Sequence, residues 1–89
     1  MRIFIIEDES HSEWAGEFQT LEEAIAELRR LANIPWDQEP NRAPCMGWEK
    51  CGRRYEIIEY DNSTIPWNMI RCIPALHIRA SGVNWQTEF

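Results

Sequence analysis

Long apolar runs, paired cysteines and positive charge are all scarce in this chain, and each shortage excludes something. The opening apolar run, Ile3 to Ile6, is four residues long, against the ~7 to 15 of a signal-peptide core and the ~20 needed to span a bilayer. Neither export nor membrane insertion is expected. Three cysteines, Cys45, Cys51 and Cys72, are an odd and sparse set, unlike the even, dense framework of a secreted disulfide scaffold. A cytoplasmic location fits them best. Nine basic residues stand against fifteen acidic ones, for a net charge of -6 and a pI near 4.8. A general nucleic-acid binder is thereby excluded, because backbone binding needs a basic surface that neutralises phosphates and releases counterions.

What is present suits one folded domain. Eighty-nine residues are too few for two independent cores, so residues 1–89 are read as a single domain. Forty-four per cent are hydrophobic and 27% charged, enough apolar material to offset chain entropy. Acidic residues crowd the first third, between Glu7 and Glu27, whereas most basic ones lie from Arg42 to Arg79. One acidic face and one milder basic face are expected.

The periodicities define elements. Arg2 to Glu7 reads as a central strand covered on both faces, since Ile3 and Ile5 alternate with Phe4 and Ile6. A polar turn follows, and Glu13 to Phe18 alternates as a second strand, with Trp14, Gly16 and Phe18 on one side. Thr20 and Glu23 form a capping box. The stripe Leu21, Ala24, Ile25, Leu28, Leu31 and Ala32 recurs at helical spacing, and Glu22, Glu23 and Glu27 precede Arg29 and Arg30 in the order the helix dipole favours. Asn33 before Ile34 and Pro35 ends the helix.

Residues 33–52 then form a long irregular loop, far beyond the usual ~4 to 6 residues of a connection. Arg54 to Asp61 resumes strand character. Leu76, Ile78 and Ala80 alternate, Ser81 and Gly82 have hairpin-turn chemistry, and Val83, Trp85, Thr87 and Phe89 alternate again. The order is β-β-α-long loop-β-β-β, which predicts an α+β fold: a largely antiparallel sheet of about five strands with one helix on one face. The repeated tripeptide, Ile34-Pro35-Trp36 and Ile65-Pro66-Trp67, suggests two loops near each other at one end of the sheet.

Few residues carry a chemical signature. The segment Ile3-Phe4-Ile5-Ile6-Glu7-Asp8-Glu9 resembles the first strand and acidic pair of response-regulator receiver domains, whose carboxylates hold Mg²⁺ beside a phosphoacceptor; Asp61 ends a later strand as such an acceptor would. That resemblance covers fewer than ten residues. A receiver is doubly wound with a helix after each strand, whereas this chain has one helix signal, and its single lysine, Lys50, precedes Asp61. A solvated acidic strand end is the favoured reading. The same carboxylates with His11 and Glu13 have the oxygen ligands of a hard divalent ion, without any Ca²⁺-loop spacing.

Zinc would use Cys45, Cys51, Cys72 and His77, by the affinity of thiolate and imidazole for that ion. Five residues separate Cys45 from Cys51, and Cys72 and His77 differ by an odd number, which sets them on opposite strand faces unless Pro74 introduces a bulge. Cys51 beside Arg53 and Arg54 is a possible activated thiol. Neither histidine has a recognisable catalytic partner in sequence, so no catalytic residue is assigned, no cofactor is called for, and a non-enzymatic role is favoured over an enzymatic one.

The five tryptophans divide into two groups. Trp14 and Trp85 lie in strands and are expected in the core. Trp36, Trp48 and Trp67 lie in loops, near Arg42, Arg53 and Arg54, and tryptophan with arginine is the composition of protein-binding hot spots. The leading expectation is a small protein-interaction or regulatory module, a monomer or small homo-oligomer, contacting its partner through residues 33–52 and 65–68. The alternative is a thiol- or zinc-dependent site built on Cys45, Cys51, Cys72 and His77.

Overall fold

A computed structural model describes residues 1–42 and 52–89. Its elements are β1 (Arg2–Asp8), β2 (Glu13–Phe18), α1 (Leu21–Ala32), β3 (Arg53–Asp61), β4 (Asn68–Arg79) and β5 (Gly82–Trp85). The strands form one sheet in the order β2-β1-β3-β4-β5, every neighbouring pair antiparallel. The predicted α+β architecture is therefore present, with one helix laid across one sheet face.

Local chemistry explains the helix. Thr20 Oγ1 accepts from the Glu23 amide at 3.1 Å and its hydroxyl meets the Glu23 carboxylate at 3.1 Å, so the capping pair closes through the hydroxyl instead of through the cap's own amide. Ala24, Leu28 and Leu31 are buried, and they pack on Phe4, Ile6, Tyr55, Ile57, Leu76 and Ile78 of the sheet. Leu21, Ile25 and Ala32 flank that stripe. In β1, Phe4 and Ile6 are buried under α1, and Ile3 and Ile5 are buried on the opposite face.

Bulges account for most departures from the sequence expectations. Ile6 pairs with Gly16 but Glu7 pairs with Trp14, so one extra residue in β2, Ala15, reverses the facing of everything before it. Gly16 and Phe18 look toward α1, and Trp14, expected in the core, emerges on the other face 58% exposed. Gly16 itself lies under the Phe18 ring, where a Cβ would come within 2.7 Å of ring carbons. Trp85, also expected in the core, is exposed because β5 is a short edge strand. That strand stops at Trp85, and Thr87 and Phe89 do not continue it.

β4 is longer than its alternation suggested. It starts at Asn68 instead of Leu76 because two register shifts against β3, one beside Pro74 and one at Ile70, hide the period of two. Trp67 lies at its first end, whereas Trp36 lies by Ile78, Arg79 and Val83 at its other end. The two Ile-Pro-Trp segments are thus at opposite ends of β4 and form no common surface. Antiparallel pairing throughout also rules out the parallel, doubly wound sheet of a receiver domain.

Candidate functional site

Two features stand out on this frame: a buried polar cluster at the β1–β2 turn, and the sheet face opposite α1. The cluster centres on Asp8, 1% exposed at the end of β1. Its Oδ1 accepts from the backbone amides of Ser10 (3.1 Å) and Arg54 (3.0 Å), and its Oδ2 from Arg53 Nη1 (2.9 Å); His11 Nδ1 lies 2.5 Å from the same oxygen. Burial works to raise the carboxyl pKa, but the Arg54 amide, Arg53 and His11 outweigh it and hold it below the usual value.

Arg53 carries the cluster outward. Nη1 also donates to Glu13 at 2.8 Å, Nε to the Asn41 carbonyl at 3.2 Å and Nη2 to the Arg42 carbonyl at 2.9 Å. Asn41 is buried in turn. Its Nδ2 donates to the carbonyls of Leu31 and Ile34, both at 2.8 Å, and its Oδ1 accepts from Tyr55 OH at 3.2 Å. Burial pushes the Tyr55 phenol up to about 12, so it remains a donor at neutral pH.

This arrangement is an anchor. It satisfies the open carbonyls after α1 and fastens residues 41–42 to β1 and β3. The weakly signalled cation site of Glu7, Asp8, Glu9, His11 and Glu13 has no counterpart: Asp8 and Glu13 both pair with Arg53, and no group of three metal-type ligands converges among the described residues. Arg53, expected at a partner surface, is 7% exposed and bonded internally, which corrects that assignment. Sequence reading missed the cluster because Asp8 and Arg53 are 45 positions apart.

The other proposed residues are scattered. Trp36 packs against the core, Arg54 is exposed on the face opposite α1, and Arg42 is exposed next to Asn41. Trp48, Cys45 and Cys51 lie outside the described residues. The bulge beside Pro74 does bring Cys72 and His77 to one face, but they pair with Ile58 and Arg54, four positions or roughly 13 Å apart along β3, too far for one ion. Cys72 Sγ donates to Glu56 Oε2 at 3.1 Å, and desolvation followed by that carboxylate pushes its pKa up to about 12. It is the opposite of an activated thiol.

On the face opposite α1, Trp14, Tyr60, Trp67 and Met69 provide apolar surface. Trp14 Nε1 donates to Glu7 at 3.1 Å, Tyr60 pairs with Met69, and the Tyr60 and Trp67 rings meet edge to face at 5.8 Å. Met69 is 55% and Ile65 95% exposed. Two carboxylates interrupt the apolar surface, since Glu7 stands directly opposite Glu56 across β1 and β3, a like-charge pairing that costs stability. The Tyr60 phenol is raised by desolvation and then by Glu7, Cys72 and Glu56. On the helix side, by contrast, Glu59 is held down by Arg2 and Arg71.

β4 adds a second feature beside that face. β5 pairs only with Leu76 to Arg79, and the Gln86 amide and Thr87 hydroxyl cover the carbonyls of Ala75 and Pro74 at 2.8 and 2.6 Å. From Asn68 to Ile73 the outer edge of β4 has no strand partner among the described residues. No known protein family, curated protein or solved structure matches this chain, and no helix among the described residues is long and apolar enough to cross a membrane.

Proposed function

We propose that the protein is a non-enzymatic docking module that holds a protein partner on the sheet face opposite α1. One observation carries this reading: Trp14, Tyr60, Trp67 and Met69 lie on one face around the buried Ile3, Ile5 and Ile58, and Met69 and Trp14 are more than half exposed. Aromatic and methionine side chains with little entropy to lose are the anchors of protein interfaces. The buried polar cluster supports it indirectly, because its acid and base groups bond one another and the backbone.

Compared with the sequence expectation, the contact surface keeps Trp67 and residues 65–68 and moves away from Trp36 and Arg53. Photo-crosslinking tests it. A photoreactive residue at Met69 or Trp14 is expected to join the protein to one partner, and the same residue at Glu22 on α1 is not. Equal labelling from Glu22, or no adduct from the sheet face, would count against the reading.

A further inference from the structure

The docking face is bounded on one side by an unfinished sheet, and the two together define a mode of binding. Along six residues of β4, Asn68 to Ile73, the outward-facing backbone donors and acceptors, those of alternate residues, have no strand partner among the described residues. Such an edge accepts an added strand, the added backbone bonds giving affinity and the alternate side chains giving specificity. Natural edges are commonly guarded by inward-pointing charge, proline or extreme shortness. Here Arg71 is tied to Glu59 at 2.6 Å and Pro74 lies beyond the open stretch; the bulge at Ile70 divides that stretch and leaves Arg71 to Ile73 as its regular part, and Met69 and Ile70 are exposed.

The chemistry of the occupant follows from what lies beside the edge. On the face opposite α1, the Cys72 contact draws the Glu56 carboxylate toward β4, with Glu7 directly behind it and Glu9 near enough to act on the Cys72 thiol. The Tyr60 and Trp67 rings lie farther along the same face, Tyr60 four positions from Glu56 on β3, and ring faces attract cations. A strand added at the usual spacing of about 4.8 Å would project every second side chain over this acidic, aromatic ground. The alternate side chains would lie on the helix side beside half-buried Ile73.

We infer that the outer edge of β4, from Asn68 to Ile73, takes up an extended segment of a partner protein as a sixth strand, one alternating arginine or lysine with apolar residues. The inference rests on the docking reading and specifies its partner. A second copy of the chain is a poorer occupant. Antiparallel pairing of two β4 edges about a two-fold axis puts both Glu7 and Glu56 pairs on the same side of the joined sheet, and each copy already carries a charge of -6.

The test titrates the isotopically labelled full chain with a capped nonapeptide alternating valine and arginine, and with a version in which the valines are prolines. Both carry the same charge, but each proline removes an N–H and fixes φ at about −65°, away from strand values, so the second peptide pairs poorly as a strand. The expected result is amide shifts centred on Asn68 to Ile73 and binding at least fivefold weaker for the proline version. Glu56→Gln is expected to weaken the valine peptide about fivefold, as the loss of one ion pair would. Equal binding of both peptides, or shifts confined to Trp14, Tyr60 and Trp67, would overturn strand addition while leaving the docking face standing. A dimer in sedimentation that buries Asn68 to Ile73 without peptide would overturn it in favour of a second copy. No binding by either peptide would overturn both readings.

Discussion

Asp8 receives hydrogen bonds through both oxygens while almost wholly buried, and removing its charge leaves the Arg53 guanidinium with Glu13 as its remaining acid. Asp8→Asn is expected to cost roughly 3 kcal/mol in urea unfolding at neutral pH, the cost of breaking a buried ion pair from one side. The pH dependence has a definite sign. A carboxyl held below its ordinary pKa contributes stability that is complete above about pH 4 and lost as pH falls through its folded value. Wild type should therefore lose stability steeply below about pH 4, and the Asp8→Asn protein less so. At the same scale, Cys72 is expected to alkylate more than about a hundredfold slower than a free cysteine at pH 8 in a protein whose other cysteines are serine. Glu56→Gln should accelerate it, and a fast thiol in the unsubstituted Glu56 background would refute this picture of the site.

At the scale of elements, Asn41 fastens the residues that directly follow α1, and Gly52 enters β3 in a left-handed conformation. Asn41→Ala strips donors from the carbonyls of Leu31 and Ile34 and the acceptor from Tyr55, and about 2 to 4 kcal/mol should disappear from the unfolding free energy. Gly52 has a φ of 65°, and a Cβ there would sit 2.5 Å from the Ile78 carbonyl. Gly52→Ala should thus lower the melting temperature by more than Gly82→Ala, whose added Cβ meets nothing within 4 Å. The helix, the hairpin of β1 and β2 and the turn before β5 were legible in the sequence because capping, helical spacing and turn chemistry are local signals. The first half of β4 was not, since bulges beside Pro74 and at Ile70 break its alternation. The bulge at Ala15 likewise sent Trp14 to the wrong face on paper. The anchor was illegible for another reason: Asp8, Asn41, Arg53 and Tyr55 meet only through long-range pairing. Of the residues expected at a contact surface, Trp67 falls beside the candidate face, whereas burial removes Arg53 and core packing engages Trp36.

Across the whole molecule the sheet is asymmetric. One face and one end are closed by α1 and by the Asp8 to Asn41 cluster; on the other face Trp14 and Met69 are exposed, and among the described residues the outer edge of β4 has no strand partner over six residues. That asymmetry underlies the proposed function, and amide hydrogen exchange of the free protein tests it most directly. If the account is right, amides of β1 and β3 exchange slowest, by global unfolding, while the outward-facing amides between Asn68 and Ile73 exchange within the time of local fluctuations. Protection of those amides equal to that of β3 in the unliganded monomer would contradict it, because the edge would then already be occupied and no partner strand could be added there.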